Sequence, residues 1–381
     1  MRIRETRMWH SLSLGTMIAA LACTQAHAQS EKTQLIAECD RLAASDIDPD
    51  RPSSIPGIPF SAMDASAAVP ACEAAVAVAG QDRRLIFQLG RAYSAAKLDD
   101  KARREYERAD ALGHVVASNN LGAMYAAGND FKKARTLYEK AAAAGLPLAM
   151  RNLGGIYQNG NGVLRDYVMA RRWFEKGAAE NDSGAMSSLG FLYREGKGVP
   201  LDFAAARRWY EKAAALGNSR AMVNLGAMSA EGLGGPKNYS EAREWYDKAA
   251  ALGNALALAN IGSLYLRGEG VPKNDLEARG WFEKAAAAGI TRAMTDLGDL
   301  YKQGGEGIPI DHTAAREWYQ KAASLGDANG MFNMGMICEN GLGMERNLAE
   351  AQAWYEKAAA VGHKEASDKL AQLRLTPDSK K

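Results

Sequence analysis

The sequence predicts an all-α protein, a solenoid of antiparallel helix pairs, and three observations carry that reading. A nine-residue block recurs eight times at a near-constant period. Within each period the apolar residues fall three and four apart. The composition, 47% apolar with 38 glycines in 381 residues, holds steady along most of the chain. A fixed period marks a supersecondary unit that buries its apolar face only by stacking on its neighbours, so one repetitive architecture is expected in place of two or three unlike domains.

Residues 1–28 read as an export signal. Arg2, Arg4 and Arg7 precede an apolar stretch from Leu12 to Leu21, and Ala26-His27-Ala28 supplies small residues at the cleavage positions, which places the mature start at Gln29. The stretch is too short to span a bilayer, so no stable membrane insertion is expected after cleavage. Ala20-Leu21-Ala22-Cys23 leaves a lipoprotein-type processing site at Cys23 as an alternative. The mature protein is expected in the periplasm or outside the cell. Cleavage removes three arginines and one glutamate, so the chain's 47 basic and 45 acidic residues become 44 of each and the formal charge falls from +2 to 0. That balance argues against nucleic acid or an anionic membrane surface as partner.

Residues 29–80 depart from the repeat. Glu31 to Ser45 reads as a helix containing Cys39, a Pro-rich coil follows from Asp48 to Pro59, and Asp64 to Ala79 reads as a second helix containing Cys72. The segment is read as a degenerate capping repeat. In an oxidising compartment Cys39 and Cys72 are expected to form a disulfide, with Cys338 left over.

The repeats follow. Ala149 to Tyr157 recurs as Ala185 to Tyr193, Ala221 to Ser229, Ala257 to Tyr265, Ala293 to Tyr301 and Gly330 to Cys338, with shorter relatives at Leu85 to Tyr93 and Ala117 to Tyr125. The glycine of each block stands at 90, 122, 154, 190, 226, 262, 298 and 335, at spacings of 32, 32, 36, 36, 36, 36 and 37. Residues 81–113 and 114–145 are therefore two short repeats and 146–363 six long ones.

In each block Ala149, Leu153 and Tyr157, or their equivalents, share one helix face, and the glycine is expected to let a neighbouring backbone approach. A second helix carries Ala170, Trp173, Phe174 and Ala178 and stops at a glycine suited to left-handed backbone, as at Gly145, Gly217, Gly253, Gly289, Gly326 and Gly362. The loop between the helices ends in Asp166, Asp202, Asn238, Asn274, Asp311 or Asn347, each an N-cap for the second helix. Glu241, Glu277 and Glu350 stand where they would complete capping boxes. The short repeats lack four loop residues and also the tryptophan found at 173, 209, 245, 281, 318 and 354. The tryptophans are read as core side chains packed beneath the longer loop. Residues 364–381 read as a terminal helix, Glu365 to Arg374, and a polar tail.

The block Ala-Met-x-x-Leu-Gly-x-x-Tyr, then Gly-x-Gly-Val, Asp or Asn, Ala, Trp-Tyr or Trp-Phe, and Lys-Ala-Ala-x-x-Gly resembles the Sel-one-like repeat, a relative of the tetratricopeptide repeat. The resemblance spans Arg83 to His363. It implies a right-handed superhelix whose concave surface binds a protein or peptide, in exported members that serve envelope assembly, signalling or host contact. A cysteine-rich branch of that family is associated with β-lactam binding. Here the repeats hold only Cys338, so that activity is not carried over.

Chemistry-bearing motifs are sparse. Metalloprotease, nucleophile-elbow, Cys-x-x-Cys and phosphate-loop sequences are missing, and the Gly-x-Gly loops follow helices instead of strands. His114 and His363 share one position after a repeat-ending glycine, which is read as structural, and His312 follows the cap Asp311. Cys338 is read as a small buried hydrophobe. No enzyme, cofactor or metal site is expected. One column remains: Asn120, Asn152, Asn224, Asn260 and Asn333 stand just before the recurrent glycine's Leu, Ile or Met, with Ser188 and Asp296 in the other copies. It would either bond the backbone of an extended partner or bond across to the neighbouring repeat. The expected function is that of a non-enzymatic scaffold in the cell envelope. A module for cell-wall or exopolysaccharide machinery and an enzyme acting on β-lactams or peptidoglycan are the alternatives.

Overall fold

The protein is seen in a computed structural model that describes residues 25–375. The charged and apolar parts of the expected signal, the Cys23 site and the polar tail lie outside the described residues. Helix α1 covers residues 25–43, and a 3-10 turn at Phe60–Ala62 leads to α2, Ala65–Ala79. Eight pairs follow: α3 Arg83–Ala95 with α4 Asp99–Ala111, α5 Val115–Ala127 with α6 Phe131–Ala143, α7 Pro147–Asn159 with α8 Tyr167–Ala179, α9 Ser183–Glu195 with α10 Phe203–Ala215, α11 Ser219–Glu231 with α12 Tyr239–Ala251, α13 Ala255–Arg267 with α14 Asp275–Ala287, α15 Thr291–Gln303 with α16 His312–Ser324, and α17 Ala328–Asn340 with α18 Leu348–Ala360. Helix α19, Lys364–Leu375, ends the series. Among the described residues there is no strand, only an isolated bridge between Gly305 and Ile308. The chain forms two compact units, one up to Asp182 and one from Ser183. We call the first helix of each pair A and the second B.

The helices from α3 to α18 all have 13 residues. The change of period therefore resides in the A-to-B connection, which is residues 96–98 and 128–130 in the short pairs, 160–166 in the first long one and 304–311 in the longest. In the longest, the extra residue is absorbed by the Gly305–Ile308 bridge, where buried Asp275 accepts the Glu306 amide at 2.8 Å.

The recurrent glycine has a different cause from the one expected. In every pair it faces the aromatic ring of its own B helix, not a neighbouring backbone. A Cβ at Gly154 would fall 2.3 Å from Phe174 Cε1, and at Gly190, Gly226, Gly298 and Gly335 it would fall 2.4 to 2.7 Å from Tyr210, Tyr246, Tyr319 and Tyr355. The short pairs repeat the contact, Gly90 against Tyr106 and Gly122 against Tyr138. This flat ring, laid on a helix where no side chain intervenes, is the centre of each pair. The rings are buried, and burial pushes the phenols of Tyr106, Tyr138, Tyr210 and Tyr246 up to about 12.

The tryptophan one residue before that ring is half-buried, which corrects its reading as core. Its face is covered by the lysine three residues on, one helical turn later: Lys176, Lys212, Lys248, Lys284, Lys321 and Lys357 stand 3.9 to 4.5 Å from the ring centroids. At the last loop, Met344 and Trp354 pack on the same buried side chains, Cys338 and Tyr355.

The ends of the helices follow local chemistry. Asp166, Asp202, Asn238, Asn274, Asp311 and Asn347 each accept a backbone amide of the B helix they precede. The expected capping boxes close only halfway. The amides of Asn238, Asn274 and Asn347 already donate to the carbonyls of Ser229, Tyr265 and Cys338 in the preceding A helix, so no glutamate receives its cap residue's backbone amide, and Glu350 accepts only the Asn347 side-chain amide, at 3.4 Å. Glu241 pairs instead with Arg207 of the previous B helix. Asn274→Ala is expected to destabilise the protein by about 1 kcal/mol through the lost cap, read from its urea midpoint.

Cys39 and Cys72 are bonded, with their Cα atoms 4.6 Å apart, and staple α1 to α2. Residues 25–30, ahead of the expected Glu31, are already helical, and α1 ends at 43. At the other end α19 lays Ala366 and Leu370 on the last pair and turns Glu365, Ser367, Asp368 and Gln372 outward.

Candidate partner-binding face

The A helices carry the column of polar residues read from the sequence. The structure places Asn120, Asn152, Asn224, Asn260 and Asn333 at equivalent, half-buried positions but gives them two different roles. In the unit up to Asp182 the column is used internally. Asn152 Nδ2 donates to buried Asn119 Oδ1 in the previous A helix at 2.9 Å, and Asn120 bonds the Tyr106 hydroxyl. In the unit from Ser183, the Asn224, Asn260 and Asn333 side chains make no hydrogen bond with other described residues.

The remaining members also differ. Ser188 donates to Gly184 O one turn back. Asp296 lies 3.8 Å from Arg292, and burial holds its carboxyl above the usual carboxylate range. A helical residue whose amide is half-exposed and unpaired keeps both a donor and an acceptor for an incoming backbone.

The histidines behave as N-caps. His114 Nδ1 accepts the Ala117 amide and His363 Nδ1 the Ala366 amide, both at 3.2 Å, and each ring stacks on a phenylalanine of the preceding A helix, Phe87 or Phe332. Most other pairs use Asn or Asp at this position. His312 adds no such cap. Cys338 is fully buried, and burial pushes its thiol up to about 11, away from nucleophilic reactivity.

Sequence reasoning missed one cluster. Asp48, Asp50 and His114 bring three ligand-type atoms within 4.8 Å of one another, with Asp48 and His114 buried. Their chemistry does not fit a metal site. The Ala117 amide points at Nδ1, so the ring proton belongs on Nε2, the nitrogen that faces Asp48 Oδ1 at 3.2 Å and that a metal would need bare. Asp50 is further engaged by Arg83, at 2.7 Å. The only sequence signal was a Pro-flanked acidic run in a segment that reads as coil, and nothing local linked it to a histidine 64 to 66 positions on.

Eight helix pairs with one internal geometry define a tandem helical-repeat protein. The repeat identifies which kind: the chain belongs to the Sel1 repeat family. The Sel1 repeat matches seven times, over residues 115–146, 147–182, 183–218, 219–254, 255–290, 291–327 and 328–363. The pair α3 and α4 lies before these matches, although its Gly90–Tyr106 contact is the same.

Among solved structures, a protective antigen of uropathogenic Escherichia coli with an SLR fold is similar at 31% identity and a TM-score of 0.54, over 81% of this chain and 67% of its own. A Sel1 repeat protein from Oxalobacter formigenes is similar at 32% identity and a TM-score of 0.56, over 63% of this chain and 96% of its own. No curated protein matches the chain. Sel1 repeat proteins are generally protein-interaction scaffolds. No helix among the described residues is long and apolar enough to cross a membrane.

Proposed function

We propose that this protein is a non-enzymatic scaffold of the periplasm that holds an extended protein or peptide segment on the face formed by its A helices, as a regulator of envelope signalling or an assembly factor. The observation that carries the reading is the set of unpaired side-chain amides at Asn224, Asn260 and Asn333, at the same repeat position in α11, α13 and α17. Amides on neighbouring helices, about 10 Å apart, can bond peptide groups several residues apart along an extended partner whatever its side chains, leaving specificity to the neighbouring positions. The signal at residues 1–28 supports export. The tryptophans favour a carbohydrate platform less, because lysines cover their faces.

The test replaces all three asparagines by alanine. Purified wild-type and variant proteins are cross-linked in the native envelope fraction and the captured partners compared. The variant is expected to melt at the wild-type temperature and to lose at least one partner that the wild type captures. A large fall in melting temperature would assign the column to packing instead, and an unchanged set of partners would remove it from the binding face.

A further inference from the structure

The first A helix differs from the rest in what covers it. In α11 the positions one to two turns around the recurrent glycine are Arg220, Val223, Asn224 and Ala227, all exposed or half-buried. In α3 the equivalents are Arg84, Phe87, Gln88 and Arg91, of which Phe87 and Gln88 are 0% exposed and Arg91 4%. The cover comes from α1 and from residues 44–59, the strap that follows it.

Asp40 of α1 accepts from Gln88 Nε2 at 2.9 Å and pairs with Arg84. Arg91 donates to Ala43 O at 2.7 Å and to Ile58 O at 2.8 Å, at the two ends of the strap. Between those ends the strap runs out to the next pair. Asp50 meets the Arg83 guanidinium, Asp48 faces His114 Nε2, and Arg83 also reaches Gly113 O at 3.2 Å. The strap closes where Ile58 N donates to Ala44 O at 2.8 Å and where Gly57 lies so near Asp46 that a Cβ would fall 2.4 Å from its backbone.

The division of chemistry is one-sided. The repeats supply the donors, the guanidiniums of Arg83 and Arg91 and the Nε2–H of His114. The strap supplies the acceptors, the Asp48 and Asp50 carboxylates in a turn-rich Asp-Ile-Asp-Pro-Asp segment and the carbonyl of Ile58. Such groups hydrate well on release, so parting them uncovers less apolar area than undocking a helix would. The Cys39–Cys72 bond spans the strap, so strap residues can leave α3 without leaving the molecule.

We propose that the strap is a built-in occupant of a second docking site, made by Arg83, Arg91 and His114, whose exchangeable ligand is an acidic, turn-forming segment of a partner protein. Strap and partner compete for the same donors, so the site reports only partners whose acidic segment outcompetes the tethered one. This site is separate from the asparagine column. Its failure would leave the column reading standing, and the Asn→Ala variants leave this site intact.

The probe is a labelled synthetic peptide copying residues 44–59, followed by fluorescence anisotropy against the full chain and against Asp48→Asn/Asp50→Asn. Neutralising the tethered strap removes the competitor, so the variant is expected to bind the peptide at least about ten-fold tighter than the wild type. A peptide with its aspartates replaced by asparagine is expected to lose that binding. Equal binding to both proteins, or binding indifferent to the peptide's charge, would overturn the proposal. Should the variant not fold, the wild type decides: excess acidic peptide is expected to speed hydrogen exchange of the amides at 45–51, and no change would show the strap to be a fixed part of the cap.

Discussion

Gly154→Ala is expected to destabilise the protein by about 1–3 kcal/mol, whereas Gly155→Ala, one position along the same helix, is expected to stabilise it by about 0.5–1 kcal/mol. Both glycines lie inside α7, where alanine is the better helix former. They differ only in what a Cβ would meet. At Gly155 there is nothing within 4 Å, while at Gly154 the new carbon would sit 2.3 Å from the ring of Phe174, which is fully buried and has nowhere to move. Urea denaturation followed by circular dichroism reads both. Two substitutions of the same sign would show that the ring contact does not set the geometry of the pair. Because α6 packs on α7, the Gly154→Ala cost is expected to extend to α6.

The second large effect is at the amino-terminal end. Cys39→Ser/Cys72→Ser is expected to cost about 3 kcal/mol, from the entropy of a chain no longer closed over the 33-residue separation. The loss is expected to be local. Within each unit a pair contacts its neighbours, so hydrogen-exchange protection should fall in α1, α2 and α3 and remain unchanged in α12 to α18. A uniform fall along the chain would mean that the leading helix pair supports the whole molecule. Protection unchanged even in α1 would mean that the polar contacts of Asp40, Gln88 and Arg91 hold the pair without the bond.

Much of the architecture was legible because its causes are local. Helix B starts at Asp or Asn and stops at a residue with left-handed backbone, and both signals lie within a few residues of the atoms they satisfy. Gly145, Gly217 and Gly253 have φ of 88°, 77° and 78°, and Asn181 takes the same conformation, at 60°, in the one long repeat without that glycine. The glycine before each ring was visible as a period but its purpose was not, because the ring it admits lies on the other helix. The tryptophans were misread for a related reason: regular spacing of large apolar residues signals a buried face, and which of two adjacent aromatics turns inward depends on how helix B lies against helix A. The asparagine column was found by period alone, and only the packing of the A helices separated Asn152, bonded across to Asn119, from Asn224, Asn260 and Asn333.

The sequence by itself determined the repeat, the helices and their ends, the pairing of the cysteines and the family, since each depends on short-range backbone chemistry written many times over. Tertiary structure alone decided what fills the space in front of each glycine and that Asp48 and Asp50 reach Arg83 and His114. It also decided which amides of the asparagine column remain unpaired. The physical reason is that these contacts join residues 16 to 66 positions apart, where the partner of a side chain is chosen by stacking geometry and by burial, and neither leaves a local mark in the chain.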